Sequence, residues 1–345
     1  MEKTMLNISL SRLAAGLVAM ACALPVAANA QGEVNVYTYR EPGLINPLFE
    51  SFTKDTGIKV NVIFASQGLE QRIAAEGQAS PADMLLTVDI GRMMEAVDRG
   101  IAQPITSKAL TEAIPAAYRD PENRWFGISA RARVLYVAKD KFKGESFTYE
   151  DLADPKFRGK ICIRSGQNIY NVGLFAGVVA RLGEQKAEEW MKGLKANLAQ
   201  KPSGGDREQA RDVAAGKCEI GIGNTYYWAL MANKEADRKG WAEATRVVLP
   251  TFRDGGTHMN LSGFVIAKHA PNRDNAIKLG EWLVSEKAQQ LYAATNYEYP
   301  VRAGVALDPV VASFGKLKPD TTPLSEVAKN RKTASILVDR TGFDN

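Results

Sequence analysis

A chain of 345 residues, 45% hydrophobic and 24% charged, has an ordinary globular composition and the length of about two average domains. Its formal net charge of +5 is mild and dispersed, with no long basic run, which argues against a nucleic-acid partner. Beyond the first thirty residues no stretch is long and apolar enough to cross a membrane.

The opening segment reads as a secretory signal peptide, residues 1–30. Lys3 and Arg12 give a basic start, Leu13 to Leu24 an apolar core, and Ala28-Asn29-Ala30 a small-residue cleavage site before Gln31. The residues before Cys22 lack the aliphatic position of a lipobox, so Cys22 is expected to leave with the signal. The expected location is the periplasm.

After that segment, Val34 to Tyr37 reads as a strand. Leu44 to Asp55 reads as a helix, with Leu44, Leu48, Phe49 and Phe52 at helical spacing and a stop at Thr56-Gly57. Val60 to Phe64 is a second strand, a helix starts near Leu69, and Met84 to Val88 is a third strand. This alternation predicts a mainly parallel sheet with helices on its faces. A second α/β unit follows, with strands at Ile161 to Ile163 and Glu219 to Ile222, each leading into a turn and a helix. Ile128 to Val137, and Val247 through Thr251 toward Ile266, read as crossovers between the units. The predicted fold is α/β and two-lobed, with paired hinge strands and a cleft. One lobe is residues 31–128 plus about 253–303; the other is 129–252 plus about 304–345. Ligands in open α/β sheets sit beyond the carboxyl ends of strands, which points to Thr38–Glu41, Arg164–Asn168 and Gly223–Thr225. Asp206 is placed to cap the helix after a Gly-rich loop, and Ile336-Leu337-Val338 suggests a tail that packs.

Two cysteines lie beyond the signal, Cys162 and Cys218. If they sit level on neighbouring strands they form a disulfide; the other reading is two buried free thiols. Tyr170, Tyr226 and Tyr227 fall just after predicted turns, in the first turns of helices. Helix N-termini favour anions, and a phenolate is one. Converging phenolates are hard oxygen donors suited to Fe(III), and a bound metal helps a phenol ionise. Core or interface aromatics are the plainer reading of the same three residues.

The chain resembles the periplasmic ferric-ion-binding proteins that serve ABC-type iron importers. The resemblance runs through VNVYTYREPGLINPLF (34–49), SPADMLLTVDIGRMMEAVDRG (80–100), GKICIRSGQNIYNVGLFA (159–176), IGNTYYWALM (222–231) and GTHMNLSGFVIAKHAPN (256–272). It covers nearly all of the chain after the signal. It implies a two-lobed periplasmic-binding-protein fold closing on iron, with an inner-membrane permease and its ATPase as partners. Carried over, the metal ligands are Tyr170, Tyr226 and Tyr227. Some relatives place a His-Tyr pair after the first strand, where this chain has Arg40-Glu41-Pro42. Members without that histidine fill the open coordination positions with carbonate or another small anion. Arg40 suits such an anion, since a guanidinium fork matches planar oxyanions, and Arg131 is a second candidate. Tyr39 is either a fourth ligand or a supporting hydroxyl; strand alternation, which aligns it with Tyr37, favours support.

Arg133 shares a face with Arg131 and reads as an ion-pairing residue. His258 reads as either cleft-lining or a solvated loop residue, and His269 as surface. Two histidines without a cysteine cluster do not make a zinc site. The expected function is a monomeric, non-enzymatic ferric carrier. A second reading keeps the fold and binds an organic or inorganic anion instead. A third, a hydrolase using Ser165 or Ser262 with His258, lacks a nucleophile-elbow motif.

Overall fold

The computed structural model describes residues 32–345. The expected signal peptide, its cleavage point and Cys22 lie outside the described residues. Ten strands form the scaffold: β1 (Glu33–Thr38), β2 (Lys59–Phe64), β3 (Met84–Thr87), β4 (Ala102–Gln103), β5 (Phe126–Ala138), β6 (Ile161–Cys162), β7 (Ile220–Asn224), β8 (Thr245–Val248), β9 (Met259–Ala267) and β10 (Tyr299–Pro300). The hydrogen-bonded order is β2-β1-β3-β9-β5-β7-β6, with β4 on β9 and with β8 and β10 on β5.

β5 joins the two lobes. Its first half pairs with β9, as far as Ala132 opposite Met259. Its second half pairs with β7, starting at Arg133 opposite Asn224, and with β8. The change of partner between Ala132 and Arg133 is where one lobe's sheet gives way to the other's. The sheets are mixed rather than mainly parallel. Only β1–β2, β1–β3 and β6–β7 run parallel. The crossover strand β5 runs through both sheets, and β9 through the first lobe's sheet, each against the direction of its neighbours, and so they impose antiparallel pairing. The crossovers are tied to each other by Tyr149. Its buried hydroxyl donates to Arg133 O at 2.6 Å and accepts from His258 N at 3.0 Å.

Local rules explain most element ends. The first helix runs Pro42–Thr56, two residues earlier than the apolar spacing predicts, because Pro42 is pre-set for the first helical position. Ile45, Leu48, Phe49 and Phe52 bury one stripe of it, and Gly57, at φ 73°, supplies the left-handed stop. All of β3 is buried, which fits its continuous Met-Leu-Leu-Thr run. The C-terminal helix Arg331–Arg340 packs on the helix Ile169–Leu182 through Ala334, Leu337 and Val338. Ile336 faces outward, because helical periodicity turns it away from those three. No helix among the described residues is long and apolar enough to cross a membrane.

Cys162 and Cys218 are disulfide-bonded. They are not level on adjacent strands: the ladder sets Cys162 opposite Gly221, and Cys218 lies in the turn entering β7. The bridge therefore slants from the end of β6 to the base of β7, on the two strands that lead to the tyrosines; the expected turn at Gly223–Thr225 is absent, because β7 runs to Asn224 and the helix starts at Thr225. It closes a chain segment of 56 residues. Reduction, or the pair Cys162→Ser and Cys218→Ser, should lower unfolding stability by about 2–4 kcal/mol, read by urea denaturation with and without reductant. Coincident curves would show that the bridge contributes nothing.

Candidate functional site

Three strand ends meet between the lobes. β6 leads into Arg164–Asn168, and Asn168 caps the next helix by accepting from Tyr170 N at 3.1 Å. Tyr170 is the second residue of that helix, Ile169–Leu182. β7 leads straight into the helix Thr225–Asn233, whose second and third residues are Tyr226 and Tyr227. The structure brings all three phenols together. Tyr226 Oη donates to Tyr170 Oη at 3.3 Å, and the Tyr226 and Tyr227 rings lie 4.2 Å apart. Tyr226 is buried; Tyr170 and Tyr227 are half-buried. Among the described residues no group of three His, Cys, Asp or Glu side chains could hold a metal.

Burial pushes the Tyr226 phenol well above its ordinary range, and the two neighbouring phenols push it further. Burial does the same to Tyr227, again with Tyr170 adding to it. Arg131 and Arg40 oppose the shift at Tyr226, and Arg164 opposes it at Tyr227. Without a cation among them these tyrosines are neutral phenols at physiological pH.

A set of arginines surrounds the phenols. Arg131 and Arg164 each lie 5.7 Å from the Tyr170 ring centre, and Arg207 lies 4.6 Å from that of Tyr227. Arg40, from the turn after β1, is buried and paired with Glu298 at 2.9 Å, and it also donates to Ser262. Burial works against its charge, but Glu298, Tyr292, Tyr226 and Tyr170 together hold its pKa above the usual value. Arg131 differs. It is 1% exposed and its Nη1 donates to Ser262 Oγ at 2.8 Å, yet among the described residues Nε and Nη2 have no partner. A buried cation with unused donors is costly unless an anion completes it.

Arg133 is an ion-pairing residue, as its alternation with Arg131 suggests. It donates to Asp206 at 2.6 Å, Asn224 at 3.1 Å and Asn171 at 2.6 Å. Asp206 does not cap its helix. Gly205 holds that position, with Glu208 reaching back to Gly205 N at 2.8 Å. Asp206 instead accepts from Arg133, from Arg164 at 3.2 Å and from Asn224 N at 2.8 Å, beneath the tyrosine turn. Its partners come from three separate segments, and that competition overrides the local capping preference. Sequence reasoning also missed Arg207 and Glu298, and it placed Arg164 in a ligand-side loop without giving it a role. That role was open to notice, since Arg164 opens the turn before Tyr170; Glu298 has no local signal.

The Tyr39 hydroxyl donates to Glu70 and accepts from Leu69 N at 2.7 Å, with Arg92 over its ring at 3.5 Å. It is engaged by its own lobe, in the direction that alternation with Tyr37 suggests. His258 is not a solvated loop residue. It is 4% exposed, burial pushes its imidazole down to about 4, and it packs beside Gly173 and Gly177. It hydrogen-bonds neither serine of the hydrolase reading. Ser165 donates to Asp344 at 2.6 Å, and Ser262 receives Arg40 and Arg131. His269 is exposed, as expected.

Residues 37–290 match the family of bacterial extracellular solute-binding proteins. Iron uptake protein A1 of Synechocystis is 43% identical over 316 residues, which is 91% of this chain and 88% of that protein. A solved Bordetella ferric binding protein superposes with a TM-score of 0.85 at 56% identity, over 91% of this chain and 100% of its own. A Trichodesmium IdiA (FutA) protein, solved with iron and citrate, superposes with a TM-score of 0.85 at 44% identity, over 90% and 100%. The chain therefore belongs to the bacterial extracellular solute-binding proteins, has their two-lobed periplasmic-binding-protein fold, and is a binding protein rather than an enzyme.

Proposed function

We propose that this protein captures ferric iron in the periplasm and delivers it to an inner-membrane ABC permease and its ATPase. The supporting observation is the meeting of three phenols inside a set of arginines, one of them buried with two unused donors. Tyr170, Tyr226 and Tyr227 bind the metal as phenolates, and Arg131, with Arg40 beside it, holds a small anion in the remaining coordination positions. The hinge lies near Ala132, between a lobe of residues 31–128 with about 253–303 and a lobe of 129–252 with about 304–345. The protein acts as a monomer, and the segment 1–30 directs its export.

Charge balance favours this arrangement. Three phenolates neutralise Fe(III). Glu298 offsets Arg40, while Arg133 and Arg164 share the single carboxylate of Asp206. Arg131 has no acid partner among the described residues. Two positive charges are thus left over around the site, which suits a dianion such as carbonate. The Trichodesmium relative was solved with citrate beside iron, another oxygen-rich anion.

Ferric citrate added to the purified protein should give a red-to-purple phenolate-to-iron charge-transfer band that survives desalting. Tyr226→Phe with Tyr227→Phe should abolish it and leave the fold intact. A colourless wild-type mixture that retains no iron would sink the ferric reading and leave the anion-only one.

Iron affinity should rise with pH. The iron-free form keeps the protons of the buried Tyr226 and Tyr227 phenols, whose pKa values burial raises, while the iron-bound form has lost them. Lower pH therefore favours release. Each phenol ionising on binding gives about a tenfold change in affinity per pH unit, so the three phenolates of the site give about a thousandfold, measurable by competition with a chelator of known proton linkage. An affinity independent of pH would mean that these phenols do not ionise.

Arg131→Met should separate binding from stability. It removes a buried, incompletely paired cation, so the iron-free protein should melt at a higher temperature. Iron retention should fall about ten- to hundredfold, as expected for loss of a charge-assisted contact. Unchanged retention would place the anion elsewhere.

A further inference from the structure

A guanidinium crosses from one lobe to the other beside the tyrosine helix. Arg331 opens the C-terminal helix, which packs on Ile169–Leu182. Its Nη1 reaches Asp89 Oδ2 at 3.2 Å and the carbonyl of Ile169 at 3.3 Å. Asp89 is fully buried and caps the helix Ile90–Asp98 of the other lobe, accepting from Arg92 N at 3.3 Å. Asn260 of β9 fixes that carboxylate by donating to Oδ2 at 2.7 Å. Ile169 is the residue before Tyr170, so one cation ties the cap of a first-lobe helix to the base of the tyrosine helix.

The route of the Arg331 side chain depends on a missing methyl group. It lies flat across Gly91, the second residue of the Asp89-capped helix. A Cβ built at Gly91 would stand 2.5 Å from Arg331 Cδ and 2.6 Å from Cζ. Gly91 is in a helix and needs no left-handed backbone. On propensity alone Ala would stabilise that helix. The glycine makes sense as the space through which the guanidinium reaches Asp89.

We propose that Arg331 is an interlobe latch and a positioning residue for Tyr170: its contact with Asp89 across Gly91 holds the lobes together and fixes the first turn of the tyrosine helix in the same step. Three features point to one function here. The carboxylate is buried and pre-oriented by Asn260, the passage is cut at Gly91, and the second acceptor is the carbonyl beneath Tyr170. The effect on iron rests on the ferric reading above; the effect on lobe closure does not.

The test uses Gly91→Ala, Arg331→Gln and the double variant. Small-angle X-ray scattering of the iron-free protein should show a larger radius of gyration for each single variant than for wild type. Gly91→Ala should do this without losing thermal stability, which also guards against an Arg331→Gln variant that fails to fold. Loss of iron to excess chelator should be about tenfold faster in each single variant, the size expected of one charge-assisted hydrogen bond. The double variant should be no faster than the faster single one, because both changes break the same contact. Scattering curves like wild type overturn the latch, as does an additive double variant. A scattering shift in the variants, with no iron retained even by wild type, would support the latch and overturn the ferric reading, so the two failures are distinct.

Discussion

The guanidinium of Arg131 is held out of water with two nitrogens unused. No folding advantage comes from that by itself, since an incompletely paired buried cation destabilises the native state. The surrounding structure holds it there. β5 is long enough to belong to both sheets, and its alternation sends Arg131 and Arg133 to one face, two residues apart. Both terminal nitrogens of Arg133 are engaged, by Asp206, Asn224 and Asn171, which lock β5 against the strand and helices that carry the tyrosines. Arg131 stands beyond that lock, on the side of Ser262 and Arg40. One arginine therefore anchors the lobe and the other is left free to receive a ligand, though both come from the same short piece of strand.

The phenols carry the complementary strain. Burial makes the Tyr226 and Tyr227 phenols hard to ionise, while the arginines nearby make ionisation easier. Neither effect alone gives a useful site. Exposed phenols would bind any hard cation weakly, and buried phenols without cationic neighbours would resist ionisation even with a metal present. The balance leaves Tyr226 and Tyr227 neutral within a positive surround. On the proposed ferric reading, protonation of a phenol, loss of the anion or reduction of the metal would each undo part of the bound state.

Much of this was legible in the sequence because it is local. Strand–turn–helix punctuation placed Tyr170, Tyr226 and Tyr227 in first turns, and the apolar spacing of Leu48, Phe49 and Phe52 located the first helix to within two residues. What the sequence hid is non-local. Asp206 looks like a helix cap by every short-range rule, yet arginines from two other segments claim it. Glu298 lies far along the chain from Arg40, and no spacing rule links them. The antiparallel share of the sheets was hidden for the same reason, since the pairing of β5 and β9 depends on where distant chain segments return. For His258 the neighbours left two readings open, cleft-lining or solvated, and burial excludes the second. Its Gly-rich setting suggests a loop, but Gly256 is tucked against the Pro319 backbone and draws the histidine into the interior.

That contact also bears on how the lobes move. Thr257 N donates to Lys318 O at 2.7 Å, and Asp320 N donates back to Thr257 O at 2.9 Å, so the C-terminal chain is stitched to the crossover just before β9. Asp320 is in turn paired with Arg181 at the far end of the tyrosine helix. From there the chain runs through the helix Leu324–Lys329, which packs on both Ile90–Asp98 and Ile169–Leu182, to Arg331 at the cleft. A rotation at the Ala132–Arg133 junction cannot leave this strap unchanged, because it is attached at the hinge and at the cleft. The same thirteen or so residues that follow the crossover, about 319 to 331, therefore couple hinge angle to the position of Ile169. Since Ile169 directly precedes Tyr170, one continuous piece of chain reaches both the crossover before β9 and the start of the helix that carries Tyr170.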